Sequence, residues 1–163
     1  MGQRGFTLVE LVLVVAIIGT LLSIGTMQFN AMQKKSAIEQ QVRKIYSKLM
    51  EARVDALYTK TPRTAVFSGS KLSIYPTGDG SGSPVSELPL SYPTVMGGGF
   101  DRVTFNAGGM MLTSDGDRAI CVEPGGVAAN NGNSDSVVVS AVKIYMGKRQ
   151  SGGACVPDKI DQK

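Results

Sequence analysis

The sequence contains no histidine and no tryptophan. Without histidine the chain lacks the usual general base near neutral pH and the commonest zinc ligand. Cysteine is scarce too. Cys121 and Cys155 are the two thiols, far apart and outside any C-x-x-C spacing. Two thiols with no histidine do not make a metal site. In a head exposed to an oxidising compartment they are expected to form one structural disulfide. There is no Gly-x-Ser-x-Gly, and no serine or cysteine nucleophile has a base to activate it. The chain reads as a non-enzyme with no cofactor and no metal.

Proline is missing from the first 61 residues, and charge is missing from Leu11 to Gln33. Leu11–Met27 is almost wholly apolar, and seventeen helical residues rise about 26 Å, nearly a hydrocarbon core. A secretory signal would need a small-residue cleavage site after the apolar run. Instead Thr26-Met27-Gln28-Phe29 leads into a polar helix. There Ile38, Val42, Ile45, Leu49, Ala52 and Ala56 recur at spacings of four and three, which makes one apolar stripe on an α-helix. Such a stripe packs on its own domain; under three heptads is too short for a free coiled coil. One helix is therefore predicted from about Phe6 to Thr59, with Pro62 as its stop.

Net charge is +4, and all of it lies early. Residues 1–60 hold eight Lys/Arg and four acids, whereas residues 61–163 hold nine of each. The basic pI thus describes a stalk rather than a basic head, which weakens a nucleic-acid reading built on overall charge. Lys143, Lys148 and Arg149 are the one cationic cluster of the head sequence and its candidate nucleic-acid contact.

Beyond Pro62 the pattern changes to short strands and turns. Thr64–Ser68 and Lys71–Tyr75 read as a hairpin through Gly69, followed by a long Gly/Pro loop over 76–99. Short strands are predicted at Arg102–Asn106, Gly109–Leu112 and Arg118–Glu123. A second loop covers 124–135, and Ser136–Tyr145 reads as the strongest strand. A helix followed by strands gives α+β, with an antiparallel sheet laid on the helix stripe. Two glycine-rich stretches do not amount to chemistry. Gly78-Asp79-Gly80-Ser81-Gly82-Ser83 lacks the Gly-Lys-Ser/Thr ending of a phosphate loop. Asp115-Gly116-Asp117 lacks the further acids of a calcium loop and reads as a turn.

Arg4-Gly5-Phe6-Thr7-Leu8-Val9-Glu10, followed at once by an uncharged apolar run, resembles the type III signal of type IV pilins and type II secretion pseudopilins. The later chain is similar to GspH/FimT-type minor pilins and pseudopilins. That likeness rests on Glu51-Ala52-Arg53-Val54-Asp55-Ala56 before Thr61-Pro62-Arg63-Thr64-Ala65-Val66, on Val103-Thr104-Phe105-Asn106, and on the late valine-rich strand. The resemblance implies a leader over 1–5, a transmembrane and assembly helix over 6–33, and a periplasmic helix with a β-sheet head over 34–163. It implies cleavage between Gly5 and Phe6 by a prepilin peptidase, methylation of the Phe6 amine, and Glu10 as the carboxylate guiding assembly. A carboxylate among Leu and Val is by default a functional group. The implied location is the bacterial inner membrane, with the head outside and assembly into a filament. The implied role is a structural subunit, minor and initiating or capping. Its partners are other (pseudo)pilins and possible secreted cargo; DNA-holding and bulk-subunit roles are the alternatives. Where major pilins commonly carry a proline, this chain has Met27. The cations Lys34, Lys35, Arg43 and Lys44 beyond the span run against the positive-inside rule, whereas the leader must face the cytoplasm.

Overall fold

The computed structural model describes residues 5–112, 116–126 and 132–163. Arg4 and Asp115 lie outside them. The chain divides into two compact units, Met1–Lys35 and Ser36–Lys163.

The first unit is the N-terminal part of α1 (Leu8–Thr59). Thr7 precedes the helix, and its Oγ1 accepts the Glu10 N–H at 3.3 Å. This is an N-cap on one of the orphan donors of the first turn. The helix is unbroken through Gly25 and Met27, so the absence of proline there coincides with continuous helix.

In the second unit, all six residues of the apolar stripe are buried, none more than 2 % exposed. Two antiparallel sheets cover them, where the sequence suggested one. The first has the order β3-β2-β1-β5, from β1 (Arg63–Ser68), β2 (Lys71–Tyr75), β3 (Ser86–Pro89) and β5 (Arg102–Phe105). The second has the order β4-β6-β7-β8-β9, from β4 (Thr94–Met96), β6 (Arg118–Val122), β7 (Ser136–Val139), β8 (Ile144–Arg149) and β9 (Ile160–Gln162). The main core joins the helix stripe to residues from both sheets, among them Leu72, Val103, Phe105, Ile120 and Val137.

The corner between α1 and β1 is built from polar groups. Lys60 takes a left-handed conformation (φ 54°) and ends the helix, the role usually given to glycine. Arg63 Nε then reaches back to Asp55 Oδ2 at 2.5 Å, and its Nη1 donates to Thr61 Oγ1 at 2.7 Å. Further up, buried Gln41 acts as a short piece of strand. Its Nε2 donates to the Tyr92 carbonyl at 2.7 Å, and its Oε1 accepts the Tyr92 N–H at 2.8 Å. Gln41→Ala leaves both backbone groups without a partner, at a cost of about 2 kcal/mol. Urea unfolding of the head from Ser36 onward is expected to show the lower midpoint with an unchanged slope.

The structure departs from the sequence expectation in four places. The 76–99 loop contains β3 and β4, each too short to stand out among prolines and glycines. The expected 136–145 strand is a hairpin, turning where Ser140 N–H meets the Lys143 carbonyl at 2.8 Å. No Gly, Asn, Asp or Pro marks Ser140-Ala141-Val142-Lys143, so the turn is hidden between the flanking β-branched runs. Residues 109–112 form a single bridge, Phe105↔Met111, and not a strand. The tail adds β9, paired to β8 through Lys148↔Asp161.

Strand alternation in the second sheet divides the interior. Every residue of β6 and β7 is buried. Ile120, Val122, Val137 and Val139 face the main core. Ala119, Cys121 and Val138 instead meet Cys155, Ile160 and Tyr145 in a second, smaller core.

Candidate functional site

The candidate site begins at Gly5 and Phe6, just before α1. Phe6 is 84 % exposed, and the apolar side chains from Leu8 to Leu22 are exposed as well. This is the one helix among the described residues long and apolar enough to cross a membrane, and its most apolar stretch is not buried within the protein. So much uncovered apolar surface needs lipid or other protein around it. Glu10 lies in the first turn of α1 and is exposed, where the helix dipole favours a negative charge. Thr7 was not singled out from sequence. Its signal was present: Thr7-Leu8-Val9-Glu10 has capping-box spacing.

The thiols meet. Cys121 on β6 and Cys155 in the tail form a disulfide with Cα atoms 6.0 Å apart. Gly97 allows the tail to approach, since a Cβ there would lie 1.8 Å from the Cys155 carbonyl oxygen.

The three candidate nucleic-acid residues do not form one patch. Arg149 is 3 % exposed, and its Nη1 binds Glu123 Oε1 at 2.7 Å. Lys148 is its neighbour on β8 and so projects from the opposite sheet face. Exposed Lys143 donates to Gln162 Oε1 at 2.5 Å and lies over the Tyr145 ring. Burial, and after it Asp117 and Asp158, raise the Tyr145 phenol above its ordinary pKa. The apparent cluster arose from sequence adjacency, which alternation in a strand undoes.

The glycine-rich 78–83 stretch and Asp117 are engaged structurally. Carbonyls of Thr77, Gly78 and Asp79 accept bonds from Thr64, Thr104 and Arg102. Asp79 Oδ1 accepts the Ser81 hydroxyl at 2.8 Å and its N–H at 3.1 Å. Those bonds hold the exposed Asp79 carboxyl below its ordinary pKa. Asp117 Oδ2 accepts the Ser140 hydroxyl at 2.7 Å. No metal-binding group of three acids or thiols is found among the described residues.

Residues 1–26 match the family model described as the prokaryotic N-terminal methylation motif. That motif opens a long helix packed against antiparallel sheets, the arrangement of the pilin fold. The motif implies processing by a prepilin peptidase and assembly with other pilins. The fold is shared with crystal structures of the type IV minor pilin FimU of Pseudomonas aeruginosa. One matches at TM-score 0.59 and 17 % identity, covering 76 % of this chain and 96 % of that one. A second crystal form gives TM-score 0.54 and 20 % identity, over 74 % and 95 %. No curated protein matches the chain in sequence.

Proposed function

We propose that the chain is a minor pilin or pseudopilin that initiates or caps a type IV pilus or a type II secretion pseudopilus. A prepilin peptidase cuts between Gly5 and Phe6 and methylates the new amine. The matured helix then leaves the bilayer sideways to join a bundle of like helices, while the head stays outside the cytoplasm and meets neighbouring heads or cargo. One observation carries this reading: Gly5-Phe6 precedes a helix that carries Glu10 and whose apolar side chains from Leu11 to Leu22 are exposed among the described residues. The mature protein is therefore expected to begin at methylated Phe6. Intact-mass spectrometry of membrane-extracted protein checks this, and an N-terminus at Met1 or after residue 25 would overturn it.

The rival role of holding DNA draws no support from Arg149, which is buried against Glu123. The head from Ser36 onward is expected not to bind DNA at physiological salt. Micromolar binding that weakens in Lys143→Ala with Lys148→Ala and flattens in salt dependence would favour the rival.

A further inference from the structure

We propose that Lys34 and Lys35 bind the phosphate of an anionic phospholipid headgroup while the subunit waits in the membrane. This rests on the proposed topology, in which these lysines lie on the exported side. The evidence begins with length. Leu11–Gln33 is an uncharged run of 23 residues, about 35 Å of helix against about 30 Å of hydrocarbon. The apolar stretch Leu11–Met27 fills most of that core, and the polar, uncharged turns that follow bring the next charged side chains to headgroup level. Those side chains are the two lysines.

Their partners are the second argument. Five other cations are matched to carboxylates: Lys48 to Glu51, Arg63 to Asp55, Lys71 to Glu87, Arg102 to Asp101 and Arg149 to Glu123. Lys34 and Lys35 are exposed and have no ion pair among the described residues. The nearest acid along the chain, Glu39, is turned to another task, since its Oε1 accepts the Asn133 N–H at 2.7 Å. Consecutive lysines on a helix diverge by about 100°, so their flexible stems can close on one phosphate from two sides or snorkel to two neighbouring lipids.

The third argument is the charge rule. Cations on the exported flank oppose the usual insertion bias. An anionic headgroup at that flank supplies a favourable interaction which offsets the opposition. The ligand is a lipid and not free phosphate, because only a phosphate fixed at the interface is presented at the depth where the uncharged run ends.

The test uses the full chain reconstituted into phosphatidylcholine vesicles carrying spin-labelled phosphatidylglycerol or spin-labelled phosphatidylcholine. The measured quantity is the ratio of their association constants. Wild-type protein is expected to prefer phosphatidylglycerol about fivefold or more at low salt, the value of one interfacial cation, and to lose the preference at high salt. Lys34→Gln with Lys35→Gln should bring the ratio to one, whereas Lys143→Gln with Lys148→Gln in the head should leave it unchanged. Inorganic phosphate matched in ionic strength to a chloride control should displace no more lipid than chloride does. Equal association of both lipids with wild-type protein, an unchanged ratio in the Lys34/Lys35 variant, or selective displacement by free phosphate would overturn the proposal. Both vesicle leaflets contain the same lipids, so the result does not depend on orientation. Protease accessibility of the head in intact cells tests the topology separately.

Discussion

Glu10→Ala protein is expected to be exported, cleaved after Gly5 and folded in its head, yet missing from filaments that contain wild-type partners. Glu10 lies one turn behind Phe6, and both are exposed. Cleavage would create a positive amine at Phe6 near that carboxylate. In a filament interior both charges need partners, because an isolated buried ion is costly. On the proposed function, a neighbouring subunit's Phe6 amine at a suitable axial offset would satisfy Glu10. Such a pair gains about 4 kcal/mol at 4 Å and an effective dielectric near 20, before desolvation is subtracted. If one third of that survives, incorporation falls about tenfold on its loss. Glu10→Gln should fail as well, since it keeps the shape and removes the charge. Both variants retain Thr7, whose hydroxyl caps the helix through the residue 10 backbone N–H, so loss of helix does not account for the defect. Sheared filaments quantified against total membrane protein give the answer. Normal incorporation of both variants would reduce Glu10 to a surface residue at the helix end.

The second large effect is expected at the disulfide. Cys121 and Cys155 are separated by 34 positions, and opening a loop of that size releases about 4 kcal/mol of chain entropy to the unfolded state. Cys121→Ser with Cys155→Ser should lower the unfolding free energy of the head by about that amount. The tail is held over the small core around Ala119, Val138 and Ile160 by the bond and by the short β8–β9 ladder, so the stretch around Cys155, before β9, should loosen first. Matched urea curves for oxidised wild type and the double variant measure the difference. Thiol alkylation of non-reduced exported protein is expected to find no free cysteine. Quantitative labelling of both residues would show that the bond does not form.

The helix was legible because its signals repeat. Six stripe positions, an uncharged run and a proline-free stretch all favour the same element, and each buried apolar position from Ile38 to Ala56 could be named in advance. The β1–β2 hairpin was legible for the same reason, with Gly69 between two β-rich runs. The second sheet was harder. A strand of three residues such as β4 or β9 has no period to detect, and the β7–β8 turn carries none of the residues that announce turns. Gln41 was illegible as a structural residue because its value comes from Tyr92, 51 positions away. At the N-terminus the motif was plain in seven residues. Lys148 and Arg149 misled because neighbours in sequence become opposites in a strand.

The position of Cys155 after β8 has a consequence for biogenesis. If the head is threaded outward from its helix, Cys121 reaches the oxidising side first and stays a free thiol until Cys155 arrives. Its proper mate becomes available only after β8 has crossed, and the seating of β9 follows. Oxidation of this pair would therefore date the passage of β8, and a subunit stalled before that moment would carry a reactive sulfur open to pairing with the wrong molecule.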